Sequence, residues 1–237
     1  MPPFGSRLAI ATLAFASGSL DVVAFLRLGH VFATVMTSNL VFVALAAVTG
    51  DGALGLRAAV ALGCFMVGVA AASAVSPPSG DESRLGAPRL TVLLAAELAV
   101  LLAYTGLWMA AGPRPGGATQ LALLGLVTLA MGAQSAVGRN LGTPEAGTTY
   151  LTGTLTGVVS HLALGRRPSR GAVTSLLAIL AGAAGGALLI TTVAPATPLL
   201  AVAAVAVSGW LSWRRRPRRG APSDPPPVAP EPPAAST

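Results

Sequence analysis

Apolar residues run along this chain in long blocks, and polar residues gather between the blocks rather than alternating within them. The blocks fall at 8–26, 34–50, 55–76, 90–112, 118–138, 148–164, 171–193 and 198–213. Most approach the roughly 20 residues that an α-helix needs to cross a hydrocarbon core. The second and sixth are short and rich in Ser and Thr, so the count falls to seven or six if either stops short of crossing. The pattern predicts an all-α, polytopic transmembrane helix bundle of six to eight spans. A polar loop at 77–89 separates the third and fourth blocks, and Pro113, Pro115 and neighbouring glycines break the chain in the middle. A transmembrane domain over 1–213 is expected to end in a basic, then Pro-rich tail at 214–237, with too little apolar surface to fold. Arg7 before the first block and Ala14-Phe15-Ala16 within it resemble a signal peptide, but the apolar stretch continues to Leu26, which favours a retained helix.

The two halves look alike. Thr34-Val-Met-Thr37-Ser38-Asn39-Leu40 aligns with Thr149-Tyr-Leu-Thr152-Gly153-Thr154-Leu155 at an offset of 115 residues, and a Gly/Ala-rich block follows each. The expectation is an internal duplication of a four-helix unit, with repeats at 8–112 and 118–213. Four crossings per unit would give both copies one orientation and place their symmetry axis along the membrane normal.

Composition agrees with a membrane bundle: 53% of residues are hydrophobic, 10% are charged, and the mean hydropathy is +0.72. Roughly a quarter of a soluble domain is charged. Every basic residue is Arg, which excludes a Walker phosphate loop, a Lys Schiff base and a Lys general base. The single cysteine, Cys64, excludes an intramolecular disulfide and a Cys-based zinc site. With eight crossings and the N-terminus inside, eleven of the fifteen Arg residues fall on the cytoplasmic side, as the positive-inside rule requires. That placement explains the net charge of +7 without nucleic acid. The basic run at 214–219 anchors topology and should attract anionic lipid by about 1 kcal/mol per residue near the surface. A bacterial plasma membrane with both termini cytoplasmic is the expected location.

Polar groups inside the blocks carry the candidate chemistry. Asp21 is the first, because an acid within a span is costly and normally faces the bundle interior with a partner. A layer of Asp21, Thr37, Ser38 and Asn39 is expected where the first two blocks meet, as a solute or ion site or as a self-satisfied lock between two helices. Gln134 and Ser135, with Thr152 and Thr154, form the matching layer of the second half and contain no acid. If the duplication holds, the two layers should meet near one pseudo-symmetric centre. Thr148, Thr152, Thr156 and Ser160 make one helical stripe, with Gly153 and Gly157 in the next, which suits a hydroxyl-lined path or close helix packing. Glu97, within the fourth block, has the setting of a proton- or cation-coupling acid and equally of a carboxyl kept neutral. His161 and His30 lie far apart and make a weak metal case. No catalytic constellation, metal set or cofactor motif is present.

Gly18-Ser-Leu-Asp21, then Gly29-His-Val-Phe32-Ala-Thr34-Val-Met36-Thr37-Ser38-Asn39-Leu40, resembles the YoaK-like family of bacterial membrane proteins. Met131-Gly-Ala-Gln134 and the Thr-Gly-Thr at 152–154 are similar to the family's second signature, and Ser38 stands where the family usually has Gly. The resemblance covers most of 8–210 and implies a multi-spanning inner-membrane protein, sometimes described as a permease. It brings no substrate or catalytic residue. The resulting expectation is a small-solute transporter or channel-like protein, able to form homo-oligomers, with Asp21, Thr37, Ser38, Asn39, Gln134, Thr152, Thr156 and Glu97 as candidate site residues. A non-transporting membrane scaffold is the alternative, and a lipid-acting enzyme ranks third.

Overall fold

The computed structural model describes residues 4–75, 87–140 and 151–214. The 77–86 stretch, Thr148 and Thr149, and the tail after Arg214 lie outside the described residues. The elements among them are helices: α1 (Phe4–Arg27), α2 (Met36–Thr49), α3 (Gly52–Val75), α4 (Ala87–Ala111), α5 (Gly117–Asn140), α6 (Leu151–Ala163), α7 (Arg170–Thr192) and α8 (Thr197–Trp213). Among the described residues, six helices are long and apolar enough to cross a membrane. The exceptions are α2, with 14 residues, and α6, with 13. At 1.5 Å per residue these reach only about 20 Å, against the roughly 30 Å of a hydrocarbon core.

Cross-chain contacts fix which helix ends share a face. Gln120 Nε2 donates to the Arg27 carbonyl at 3.1 Å, joining the start of α5 to the end of α1. Trp108 Nε1 donates to the Ala194 carbonyl at 3.1 Å, joining the end of α4 to the turn after α7. The Arg57 side chain, one turn into α3, packs over Gly29, whose φ of 105° favours glycine and leaves no room for a Cβ. One face, the Arg27 end, therefore gathers the ends of α1, α4 and α7 and the starts of α3, α5 and α8. At the other face, the Arg214 end, Ser208 of α8 donates to the Ala9 carbonyl of α1 at 3.1 Å. Ala72, Leu93, Ala136 and Val137 cluster at that face, bringing together α3, α4 and α5.

The crossings thus alternate α1, α3, α4, α5, α7, α8, three in each half. The first helices of the halves, α1 and α5, run antiparallel, so the expectation of a shared orientation and an axis along the membrane normal is wrong. It failed because α2 and α6 were counted as crossings, and an odd number of crossings inverts the second half. The correction also moves arginines. Arg57 and Arg114 join Arg27 at one face, whereas Arg89 and Arg139 join Arg7, Arg166, Arg167, Arg170 and Arg214 at the other. Among the described residues the arginines still divide seven to three, the same bias that eight crossings would give.

α2 turns back within one face. The chain leaves α1 at Arg27, dips along the bundle to Thr34, and begins α2 there. Gly50, at φ 73°, closes α2 in the left-handed conformation, and α3 starts two residues later. Asp51 Oδ1 caps α3 by accepting from the Leu54 N–H at 3.0 Å. α2 and α3 form an antiparallel hairpin, with Ala46 against Gly55.

α1 and α5 are the central helices, and their burial is built on small residues. Gly18 lies against the Ile179 carbonyl of α7, and Gly182 against the Phe15 carbonyl of α1. Gly132 lies against the Phe65 carbonyl of α3, and Gly68 against the Leu129 carbonyl of α5. In all four, a Cβ would overlap the opposing backbone. In lipid, dispersion at such close approach and interhelical hydrogen bonds hold helices together, because the tails are as apolar as leucine. Large apolar side chains including Val48, Met66, Leu180 and Leu188 face outward accordingly.

Candidate functional site

The four glycine contacts obey one offset of 114 residues: Gly18 with Gly132, Phe15 with Leu129, Phe65 with Ile179, and Gly68 with Gly182. Ser17 and Met131 stand at the same offset and touch each other, Oγ to Sδ at 3.8 Å. That contact marks the point about which the halves exchange, where antiparallel α1 and α5 cross. Polar groups lie on either side of it.

On the Arg27 side, α1 presents Asp21, one turn beyond Ser17. Both carboxylate oxygens accept from Thr34: Oδ1 from its N–H at 2.7 Å, Oδ2 from its hydroxyl. Asn39, fully buried, forms a reciprocal pair with the backbone of Phe32, donating to its carbonyl at 2.8 Å and accepting from its N–H at 3.0 Å. Together the two side chains strap the dipping 28–35 segment to α1 and set the start of α2 beside the Asp21 carboxylate. No side chain caps that start. Phe25, Phe32 and Phe42 stack with ring centroids 5.3 and 6.3 Å apart, walling one side, and His30 meets Phe25 edge-on.

On the other side of the crossing, Gln134 of α5 donates through Nε2 to Ser17 Oγ at 2.9 Å and approaches the Leu13 carbonyl at 3.4 Å. Its Oε1 is buried with no partner among the described residues. Ser135 is the counterpart of Asp21 at the 114-residue offset. The polar layers therefore flank the centre, about one turn to either side of it.

The expected layer is only partly assembled. Asp21 and Asn39 cooperate through the intervening loop rather than by touching, and Thr34, passed over as a site residue, supplies both donors to Asp21. Its signal in the sequence was its place in the Thr34–Leu40 repeat. Ser17, likewise missed, sits four residues before Asp21 on the same face. Thr37 is exposed and Ser38 half-buried on the first turn of α2. Thr152 and Thr156 lie on α6, which packs on α7 and has no buried residue. The Thr156 hydroxyl donates to the Thr152 carbonyl at 2.8 Å, and His161 Nδ1 lies 2.7 Å from the Gly157 carbonyl, both within α6. Among the described residues nothing lies within 4 Å of a Cβ at Gly153 or Gly157, so the small-residue stripe makes no close crossing with them. Glu97 stands apart on α4, whose main partners are α5 and α8. No group of three or more metal-ligating side chains occurs among the described residues.

Six long apolar helices, no strand among the described residues and a polar centre between oppositely directed helices define a multi-pass α-helical membrane protein. Comparison gives the family: residues 9–211 match the model for a protein of unknown function, DUF1275, and the chain belongs to that family. It is similar to the UPF0700 transmembrane protein YoaK of Bacillus subtilis (strain 168), at 29% identity over 153 residues. That alignment covers 65% of this chain and 65% of the Bacillus protein. No solved structure matches.

Proposed function

We propose that this protein is a transporter of a small polar solute, built from two inverted four-helix units that expose the centre to one side of the membrane at a time. The supporting observation is the pair of short helices, α2 and α6, at corresponding places in halves of opposite direction. Short hydrophobic segments at matching positions of inverted repeats are the best sequence-level pointer to a transporter's binding site. Asp21, Ser17, Asn39 and Gln134 then form the site, with Asp21 as its ionisable contact. A carboxylate offers about four acceptor positions and Thr34 occupies two, so a solute donor has room.

The halves are not in equivalent states. α2 is strapped to α1 through Asp21–Thr34 and Asn39–Phe32, while α6 has no buried residue. Exchanging the two arrangements by the pseudo-symmetry would alternate access. The Arg-rich end faces the cytoplasm in this reading, which would put α6 on the cytoplasmic side.

The test is a thermal-shift screen of pooled amines, inorganic cations and polar metabolites on purified protein, wild type beside Asp21→Asn, followed by counterflow of each hit in proteoliposomes. The expected result is a hit that stabilises the wild type, fails with the variant and undergoes counterflow. If no pool shifts either protein and none shows counterflow, transport is refuted. The exposed Thr/Gly surface of α6 then favours a scaffold that docks other membrane helices.

A further inference from the structure

Glu97 is 2% exposed, and neither carboxylate oxygen has a hydrogen-bond partner among the described residues. It lies near the middle of α4, ten residues from the start and fourteen from the end of a 25-residue helix. The elements packed against it supply no counter-charge among the described residues. Gly117–Gly138 of α5 and Thr197–Ser212 of α8 contain no ionisable side chain. On α4, Arg89 is exposed two turns away and Tyr104 is buried with its hydroxyl unpartnered. Arg139 belongs to the last turn of α5, near the level of Leu90 and Leu93, and its side chain lies outside the described residues. Arg214 stacks on Trp210 at the end of α8, 3.8 Å from the ring centroid. Asp21 and Arg27 belong to α1, which meets α5 and α8 rather than fronting α4.

Depth links Glu97 to the central site. Leu93 packs beside Ala136 and Val137, and α4 and α5 are antiparallel. Four residues beyond Leu93, Glu97 therefore reaches roughly the level of residues 132–133, within about one turn of Gln134. Gln134 keeps an unpartnered Oε1 there and bonds through Nε2 to Ser17, one turn from Asp21. A bare carboxylate without a partner is the form of this side chain that a membrane interior penalises most, and intramembrane acids of this kind mark proton relays.

We propose that Glu97 is a proton-binding site that loads and unloads during the working cycle, coupled through Gln134 and Ser17 to the Asp21 centre. The proton comes from and returns to water admitted when the bundle opens, so the step needs no other reactant. Proton binding stands on the burial of Glu97 alone, whereas the coupling rests on the transport reading above.

Infrared spectroscopy of the reconstituted protein at neutral pH separates the two. A protonated-carboxyl band should be present in the wild type, retained in Asp21→Asn and lost in Glu97→Gln, which should melt no lower than the wild type because glutamine copies the neutral acid. Identical spectra for wild type and Glu97→Gln, or a clearly lower melting temperature for that variant, overturns the proton site. For any solute that undergoes counterflow, a proton gradient should drive uptake by the wild type, and Glu97→Gln should retain counterflow but lose that drive. Gradient-driven uptake by Glu97→Gln overturns the coupling while leaving the proton site standing.

Discussion

Alanine at Gly182 adds one methyl group where α7 meets α1, and the consequence can be worked from the contacts. The new Cβ would overlap the Phe15 carbonyl oxygen and lie 2.8 and 3.0 Å from the Phe15 C and Cα atoms. All three belong to backbone, so no side chain can swing away. Carbon comes no closer than about 3.3 Å to a carbonyl oxygen in weak interhelical contacts, so the helices must part by roughly 1 Å. A gap of that size forfeits a quarter to a half of each dispersion contact along the crossing, and overpacking of this kind typically costs about 1–3 kcal/mol. Helix propensity works the other way, since alanine in place of an interior glycine stabilises by about 1 kcal/mol. Gly209→Ala is the control, because nothing lies within 4 Å of its Cβ position. Melting in detergent should place Gly182→Ala below the wild type by about 1–2 kcal/mol and Gly209→Ala level with or above it. Gly68→Ala, the counterpart in the other half, should lose a similar amount. If Gly182→Ala melts with Gly209→Ala, the helices are not in backbone contact and the packing argument fails.

Helix direction is tested with single cysteines at Asp51 and Arg166 in a Cys64→Ala background. Eight crossings place both on one side of the membrane, whereas the structure places them on opposite sides, so an impermeant maleimide on intact cells should label only one. Asp21→Asn should melt near the wild type, because the amide oxygen accepts the Thr34 N–H and its NH2 can donate to the hydroxyl. Asp21→Ala should lose about 1–3 kcal/mol for the unpaired, buried Thr34 donor, and equal melting of the two variants would refute the strap. Asn39→Leu removes both bonds to the Phe32 backbone and should sharply raise hydrogen exchange across 28–35; unchanged protection would show that Asn39 does not hold the loop.

The apolar pattern alone identifies a helical membrane bundle, because hydrocarbon forces each apolar stretch to satisfy its own backbone and leaves a signature in its length and composition. The sequence also marked Asp21, Asn39 and Gln134 as costly groups needing partners, and the Thr34–Leu40 and Thr149–Leu155 likeness pointed to the two short helices. The partners were not legible. Asp21 meets Thr34 only because the 28–35 segment dips back along α1, and Ser17 meets Gln134 only because α1 and α5 cross. Nor could hydropathy tell that α2 turns back. A 14-residue apolar helix reads alike whether it crosses or returns, and the decision lies in where α3 begins, beside Gly29 at the Arg27 end. That one non-local fact makes three crossings per half instead of four, and so decides the relative direction of every helix in the second half.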